Sequence, residues 1–239
     1  MQLDSLIREK AQLISYTQDE ISNIAGSSNH LRQIIHNQPD FRQSFLGGSY
    51  LRKTMVKSVS DVDVYYEYTG SGNPQSALTR LKNCLVDRYP NSIIKQDKPS
   101  ILVDFNLLPF NITPCRISPS NTVSIPDARL LYWQQINPGR LEEQVKELRR
   151  INPQLIELIK ILKLWRHSYK KPLRNFEIED KVYRQFRNKI SNSLSDWIYD
   201  FLANNNFQRD ANRFNGLMVQ RPIGKQELKT RWLDFIENR

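Results

Sequence analysis

Hydrophobic and polar positions follow a helical period at both ends of the chain and the pattern of strands between them. Near the N-terminus, Leu3, Leu6 and Ile7 share one helical face, and this pattern continues to residue 38 with an interruption near Gly26. The pattern predicts strands at 60–68, 100–106 and 110–117, and helices at 75–89, 140–166 with a break near 151–153, 177–190, 194–204 and 224–237. A less regular tail is expected between the last two helices.

The order of these elements predicts an α/β (α+β) fold in two lobes. Strands interspersed with helices favour a mixed sheet backed by helices, and we expect this lobe and its leading helices to occupy residues 1–125. From Pro126 onward the predicted elements are helical, so residues 126–239 are expected to form an α-helical lobe. A cleft between the two lobes is the expected place for a ligand.

Charge and cysteine content narrow the class of partner. The chain has 239 residues, with 35 Lys and Arg against 25 Asp and Glu, and a net charge of +10. This excess indicates a polyanionic partner such as nucleotides or nucleic acid. No apolar run approaches the roughly 18 residues of a membrane span, so no membrane partner is expected. Because Cys84 and Cys115 are too few for a disulfide framework, we expect a cytoplasmic protein with reduced thiols.

A glycine turn followed by two alternating acids is the most informative chemical pattern. Gly47-Gly48-Ser49 precedes Asp61 and Asp63, which lie in a predicted strand. Residues i and i+2 of a strand point to one face, so the two carboxylates are expected side by side. Adjacent carboxylates repel unless a positive charge lies between them, and Mg²⁺ prefers carboxylate and phosphate oxygens. The pattern therefore predicts a metal site for nucleotide phosphates.

These residues and their spacing resemble the nucleotidyltransferase superfamily whose best known member is DNA polymerase beta. The segment Gly48-Ser49-Tyr50-Leu51-Arg52-Lys53-Thr54 is similar to the turn in one branch of it, which contains oligoadenylate synthases, cyclic GMP-AMP synthase and bacterial cyclic-oligonucleotide synthases. Lys53 departs from the usual glycine. The resemblance covers about residues 40 to 180, and it implies that Asp61 and Asp63 are catalytic and hold two Mg²⁺ or Mn²⁺ ions.

The resemblance also implies which residues contact a nucleoside triphosphate. They are Gly48, Ser49 and Arg52 of the turn, Lys163 of a long helix, and Asn175, which stands where the family has serine. Lys160 is the alternative to Lys163, and Tyr50, Tyr65 and Tyr66 are candidates for stacking on a base. A basic helical face could bind RNA or DNA through Lys146, Arg149, Arg150, Lys160, Lys163, Arg166, Lys170, Lys171 and Arg174.

The third acid of the superfamily is replaced by an amide. The resemblance places the catalytic acid, which helps to deprotonate the attacking hydroxyl, at Asn111 in Phe110-Asn111-Ile112-Thr113-Pro114. An amide carries no charge and cannot act as a base. Three explanations stay open. The chain is an engineered inactive Asp-to-Asn form, Asp104 of the preceding strand is the true metal ligand, or the natural protein lacks the acid.

The resemblance implies an enzyme that joins nucleoside triphosphates into a cyclic or linear oligonucleotide signal, often in anti-phage defence. Two alternatives are an RNA-tailing nucleotidyltransferase of the CCA-adding type and a catalytically decayed nucleotide-binding or antitoxin-like module. The first predicts salt-sensitive RNA binding. The second predicts that an aspartate restored at position 111 gives no turnover.

Overall fold

The computed structural model of this chain describes residues 2–105, 108–189, 193–219 and 224–238. The strands are β1 (Phe41–Leu46), β2 (Val62–Tyr68), β3 (Ile93–Asp97), β4 (Ser100–Phe105), β5 (Leu108–Ile117), β6 (Val123–Pro126) and β7 (Trp133–Ile136). The helices are α1 (Gln2–Leu13), α2 (Gln18–His36), α3 (Gly48–Arg52), α4 (Pro74–Arg88), α5 (Pro138–Ile151), α6 (Gln154–Ser168), α7 (Asn175–Phe186), α8 (Leu194–Asn204), α9 (Gln208–Met218) and α10 (Lys225–Glu237).

The strands form one mixed sheet, which confirms the predicted fold class. Its central order is β1-β2-β5-β4-β3, and β6 pairs with both β5 and β7. Strand β2 runs parallel to β5, whereas β1 is antiparallel to β2 and β4 is antiparallel to both β5 and β3. Because a parallel pair needs a long crossover, the chain passes through α4 and the β3–β4 hairpin before β5 takes its place beside β2.

One face of the sheet forms the core of the strand-containing part. In β2, Val62, Val64 and Tyr66 are buried and the residues between them are partly exposed, as alternation along a strand requires. Helix α4 adds a fully buried row of leucines and contacts β3, β4 and β5, while α2 contacts β1 and α4. The opposite face therefore carries the polar residues of β2.

Local sequence signals explain where α2 and α4 begin. The Thr17 hydroxyl accepts a hydrogen bond from the Glu20 N–H at 3.3 Å, and the Glu20 carboxylate accepts one from the Thr17 N–H at 2.6 Å. This reciprocal pair satisfies two backbone donors at the start of α2. Asn73 caps α4 in the same manner by accepting from the Ser76 N–H at 2.9 Å, and Pro74 follows it in the first helical turn.

The chain groups into two compact units. One unit contains residues 16–53 and 60–142, and thus the sheet with α2, α3 and α4. The other contains the described residues of 1–15, 54–59 and 143–239, and in it α6 contacts α1, α7, α8 and α10. We call them the sheet unit and the helical unit. The domain limits expected from the sequence, 1–125 and 126–239, stay a prediction.

Most elements match the sequence pattern, and the differences have physical reasons. The break expected near 151–153 separates α5 from α6. The predicted strand at 100–106 and the predicted helix at 177–190 each end at a residue outside the described ranges. The tail expected to be irregular contains α9, whose Asn and Gly residues favour other conformations in isolation. Its buried Ala211, Phe214 and Leu217 pack against α8 and α10, and this burial outweighs the weak propensity.

None of the described helices is both long enough and apolar enough to cross a lipid bilayer.

The two cysteines are expected to differ in reactivity. Burial, and to a smaller extent the charge of Glu67, raise the pKa of the Cys115 thiol to about 12. At pH 8 a thiol with this pKa is ionised in roughly one molecule in ten thousand, and the thiolate is the reactive form. Cys84 is only partly buried. We therefore expect native protein to react with a thiol reagent at Cys84 first, and at Cys115 only after unfolding in urea. Equal rates at both positions in native protein would contradict the described strand β5.

Candidate active site

The two acids of the Asp-Val-Asp motif lie at the start of β2 on one face of the sheet. Asp61 directly precedes the strand and Asp63 is its second residue. Val62 and Val64, which alternate with them, are 0 % and 3 % exposed. The strand alternation therefore turns both carboxylates away from the core, as the sequence predicts.

The glycine turn lies directly against Asp63. The Gly47 N–H donates to the backbone carbonyl of Asp63 at 2.9 Å. Gly48 has φ +62°, and a Cβ placed on it would lie 1.7 Å from Asp63 Oδ2. Only glycine fits here, because any side chain would collide with the carboxylate in a backbone conformation that L residues already disfavour. Ser49 follows in α3 and is 7 % exposed.

A parallel register places Asn111 beside the two acids. In the pairing of β2 with β5, Asp63 is the Cα partner of Asn111. The Asn111 Nδ2 group donates a hydrogen bond of 2.8 Å to Asp61 Oδ2. Asp61, Asp63 and Asn111 are thus brought together, as the sequence predicts. The contact itself is one that aspartate at this position could make only in its protonated form.

The electrostatics of Asp61 favour a cation beside it. Burial raises the pKa of Asp61, the hydrogen bond from Asn111 lowers it, and the charge of Asp97 raises it. The pKa of the Tyr16 hydroxyl is also raised, by burial first and then by the charges of Glu20 and Asp61. A half-buried carboxylate with acidic neighbours is stabilised when a positive ion shares its oxygens.

The residues present suit a divalent ion. Asp61 and Asp63 offer carboxylate oxygens from one strand face, which suits a hard cation that also binds phosphate. Across the described ranges, no group of three or more His, Cys, Asp or Glu side chains is placed to hold a metal. The third position is the amide of Asn111, whose nitrogen faces Asp61.

Asp104 lies farther from the pair than Asn111 does. In the pairing of β4 with β5, Asn111 is opposite Leu102 and Asp104 is opposite Pro109. Strand β5 separates β4 from β2. Two strand spacings amount to about 10 Å, and side chains stand roughly perpendicular to a sheet. This arrangement favours position 111 over Asp104 as the place of the third acid.

Arg52, Tyr65 and Tyr66, which the sequence indicates as candidates, also lie in the sheet unit. Arg52 is in the last turn of α3, and its charge lowers the pKa of Tyr65 against the larger effects of burial and of Asp63, which raise it. The Tyr65 ring stacks on Phe45 with centroids 5.0 Å apart and lies against Gly47. Tyr66 is fully buried on the core face, so stacking of Tyr66 on a base, expected from the sequence, is not compatible with this structure.

Lys163 of the helical unit is occupied by buried protein groups. The Lys163 side chain is 0 % exposed, and its ammonium bonds to Glu179 Oε1 at 2.6 Å. It also donates to Thr54 through the backbone carbonyl at 3.0 Å and the hydroxyl at 2.9 Å. These three bonds use the three donors of the ammonium group. The phosphate contact expected for Lys163 stays a prediction, and this geometry does not support it.

Asn175, the other expected phosphate contact, begins α7 in the helical unit. Its Oδ1 atom is buried and has no hydrogen-bond partner among the described residues. An oxygen accepts hydrogen bonds and does not donate them, so only the amide nitrogen of Asn175 could serve a phosphate. Lys160, the alternative to Lys163, donates to the Ser15 hydroxyl at 2.7 Å.

Several residues that interact with Asp61 or Thr54 carry no local sequence signal. Asp97 raises the pKa of Asp61, and Asp61 raises that of Tyr16, although these residues are far apart in the sequence. Glu179 bonds to Thr54 across more than a hundred residues. Only the pairing of strands and helices identifies them.

Replacement of Gly48 tests the close approach to Asp63. In Gly48→Ala the new methyl group would overlap the carboxylate, and the positive φ alone costs about 1–2 kcal/mol for an L residue. We expect lower stability in urea unfolding and loss of triphosphate binding in equilibrium dialysis. Gly216→Ala is the matched control, because nothing lies within 4 Å of its Cβ. Unchanged stability of Gly48→Ala would refute the described contact, and unchanged triphosphate binding would exclude a role of the turn in binding.

Replacement of Lys163 separates a structural role from a phosphate contact. Lys163→Met leaves the fully buried Glu179 without its partner, so we expect the free energy of unfolding to fall by about 3–5 kcal/mol. Lys163→Met/Glu179→Leu should recover part of this loss, because no charge is left buried although Thr54 loses its bonds to both side chains. Lys229→Met is the control, since its exposed pair with Glu9 at 3.5 Å contributes little.

The same double variant decides the role of the ammonium group. If Lys163 is structural, Lys163→Met/Glu179→Leu keeps its affinity for triphosphate. A stable double variant with lost affinity would instead restore Lys163 as a phosphate ligand.

Comparison with known proteins places this geometry in a family. Residues 1–149 match the model of the Second Messenger Oligonucleotide or Dinucleotide Synthetase domain. A search of curated protein sequences gave no significant match.

Solved structures share the fold at low sequence identity. CdnC of E. coli MS115-1, in a structure with ATP, is 15 % identical, with a TM-score of 0.76 over 98 % of this chain and 97 % of that one. The CD-NTase CdnG of Bradyrhizobium diazoefficiens, in complex with GTP, is 13 % identical, with a TM-score of 0.71 over 99 % and 89 %. The CdnE c-UMP-AMP synthase of Rhodothermus marinus is 15 % identical, with a TM-score of 0.60 over 99 % and 94 %.

The family match covers more than half of the sequence, and the matched segment contains the glycine turn, both acids and Asn111. The chain therefore belongs to the Second Messenger Oligonucleotide or Dinucleotide Synthetase family, whose members are nucleotidyltransferases that make nucleotide signals.

Proposed function

We propose that this chain binds nucleoside triphosphates against the Gly48–Ser49 turn and joins them into a cyclic or linear oligonucleotide signal. The close approach of Gly48 to Asp63 carries the proposal, because it holds the glycine turn directly beside the strand that carries both acids. Backbone N–H groups of such a turn can donate to phosphate oxygens that a cation holds near the acids. The ATP in the E. coli structure and the GTP in the Bradyrhizobium structure support the choice of ligand class.

A divalent cation is part of this proposal. Asp61 and Asp63 would hold Mg²⁺ or Mn²⁺, and the bound ion would supply positive charge opposite the triphosphate. The protein's own contribution is to orient the phosphates at the turn and to keep both carboxylates on one strand face. Arg52, whose charge reaches Tyr65 on the same face as Asp63, adds positive charge to this side of the sheet unit.

The amide at position 111 limits the chemical step. In-line attack on a triphosphate requires the attacking hydroxyl to lose a proton, and Asn111 cannot accept one. Its nitrogen already donates to Asp61. The proposed enzyme therefore positions its substrate correctly and transfers slowly, since positioning and charge neutralisation provide most of the catalysis in phosphoryl transfer. A cytoplasmic role in defence against phage is the biological setting that the family resemblance implies.

A second candidate function is a nucleotide-binding module without turnover. The hydrogen bond from Asn111 to Asp61 favours it, because this contact holds Asp61 in place and leaves no group at position 111 to act as the base. Both candidates use the same binding residues. They differ in whether the unchanged chain turns over slowly or not at all, and in whether an acid at position 111 increases the rate.

One incubation tests the proposal. The chain and its Asn111→Asp variant are incubated with the four labelled triphosphates and Mg²⁺ or Mn²⁺, and products are identified by mass spectrometry. A general base contributes about 10²- to 10⁴-fold, so we expect Asn111→Asp to form oligonucleotides faster than the unchanged chain by that factor. Asp61→Asn/Asp63→Asn provides the background.

Parallel samples with added RNA distinguish the alternatives. Extension of RNA with little product from free triphosphates would identify a tailing enzyme. Binding of triphosphate without consumption by either form would identify a binding module. No binding and no consumption by either form would refute the proposal.

A further inference from the structure

The hydrogen bond between Asn111 and Asp61 bears on how many metal ions the site takes. Asn111 Nδ2 lies 2.8 Å from Asp61 Oδ2 and donates to it. Because nitrogen and oxygen are on opposite sides of the amide carbon, the amide oxygen of Asn111 is turned away from Asp61. One carboxylate oxygen of Asp61 is thus engaged by a protein donor. We propose that the site of this chain holds one divalent ion, not two.

Charge supports a single ion. Two divalent ions bring four positive charges, and the protein offers two carboxylates, Asp61 and Asp63, on this strand face. An aspartate at position 111 would add a third negative charge beside Asp63, its Cα partner. The amide adds none, so a second ion would have no further protein carboxylate and would depend on the triphosphate oxygens alone.

No other described acid compensates for the missing carboxylate. Asp104, the alternative expected from the sequence, is on β4 and is separated from β2 by β5. The described residues contain no group of three potential His, Cys, Asp or Glu ligands. Asp61 and Asp63 therefore remain the protein ligands for one ion that arrives with the triphosphate, so this inference rests on the proposed nucleotide site.

Manganese stoichiometry tests the inference without any turnover. Mn²⁺ is titrated into the chain, alone and with saturating α,β-methylene analogues of ATP, GTP, CTP and UTP, and free Mn²⁺ is measured by electron paramagnetic resonance. We expect one bound Mn²⁺ per chain, and two in Asn111→Asp, a twofold increase. Asp61→Asn/Asp63→Asn sets the background, and Asp104→Asn should keep one ion.

Any other number of bound ions would contradict the single-ion site or the role given to Asn111. Two ions in the unchanged chain would show that Asn111 turns its oxygen to a second ion, and would leave the proposed nucleotide site intact. If the unchanged chain binds two ions and Asp104→Asn binds one, Asp104 is the third ligand. One ion in both the chain and Asn111→Asp would show that Asn111 is not what excludes the second. No binding above background in any form would overturn the inference together with the proposed function.

Discussion

The parallel pairing of β2 with β5 is the constraint on which the candidate site depends. It sets Asp63 opposite Asn111 and brings the amide within hydrogen-bond distance of Asp61. A slip of the register by one residue would turn the whole set of side chains to the other face. The buried Val62 and Phe110, which are Cα partners on the core face, resist such a slip, because a change of register would expose them. The geometry of the acids is therefore fixed by the hydrophobic core beneath them.

A second constraint acts on the chain just after the glycine turn. Lys53 ends α3 with φ 60°, a left-handed conformation that glycine adopts most easily, which gives a physical reason for the glycine usual in the related synthases. The next residue, Thr54, is fully buried in the helical unit and bonds to both Lys163 and Glu179. A buried ion pair of this kind gives little net stability but allows few alternative arrangements of its partners. The strained Lys53 is thus followed directly by a firmly held residue.

The sequence predicts the parts of this site that depend on local periodicity. Alternation along β2 was enough to place Asp61 and Asp63 on one face, and the glycine turn indicated phosphate binding. Burial of Lys163 was not predictable in the same way. Apolar residues surround it in α6, and a lysine at the edge of an apolar stripe usually extends to solvent. Its partner Glu179 is on another helix, so only tertiary packing reveals the pair. The donor role of Asn111 likewise needed the β2–β5 register.

The amide at position 111 changes the stability of the site as well as its chemistry. Three neighbouring carboxylates repel one another in the absence of metal, and this repulsion makes such a site dependent on cations for its geometry. Asn111 removes one negative charge and replaces repulsion from Asp61 with a hydrogen bond to a charged group, which contributes about 1.5–3 kcal/mol. The acids of this chain are therefore held in place before any ion arrives. The same amide offers no base for the proposed reaction, so the preformed site and the proposed slow transfer would have one physical cause.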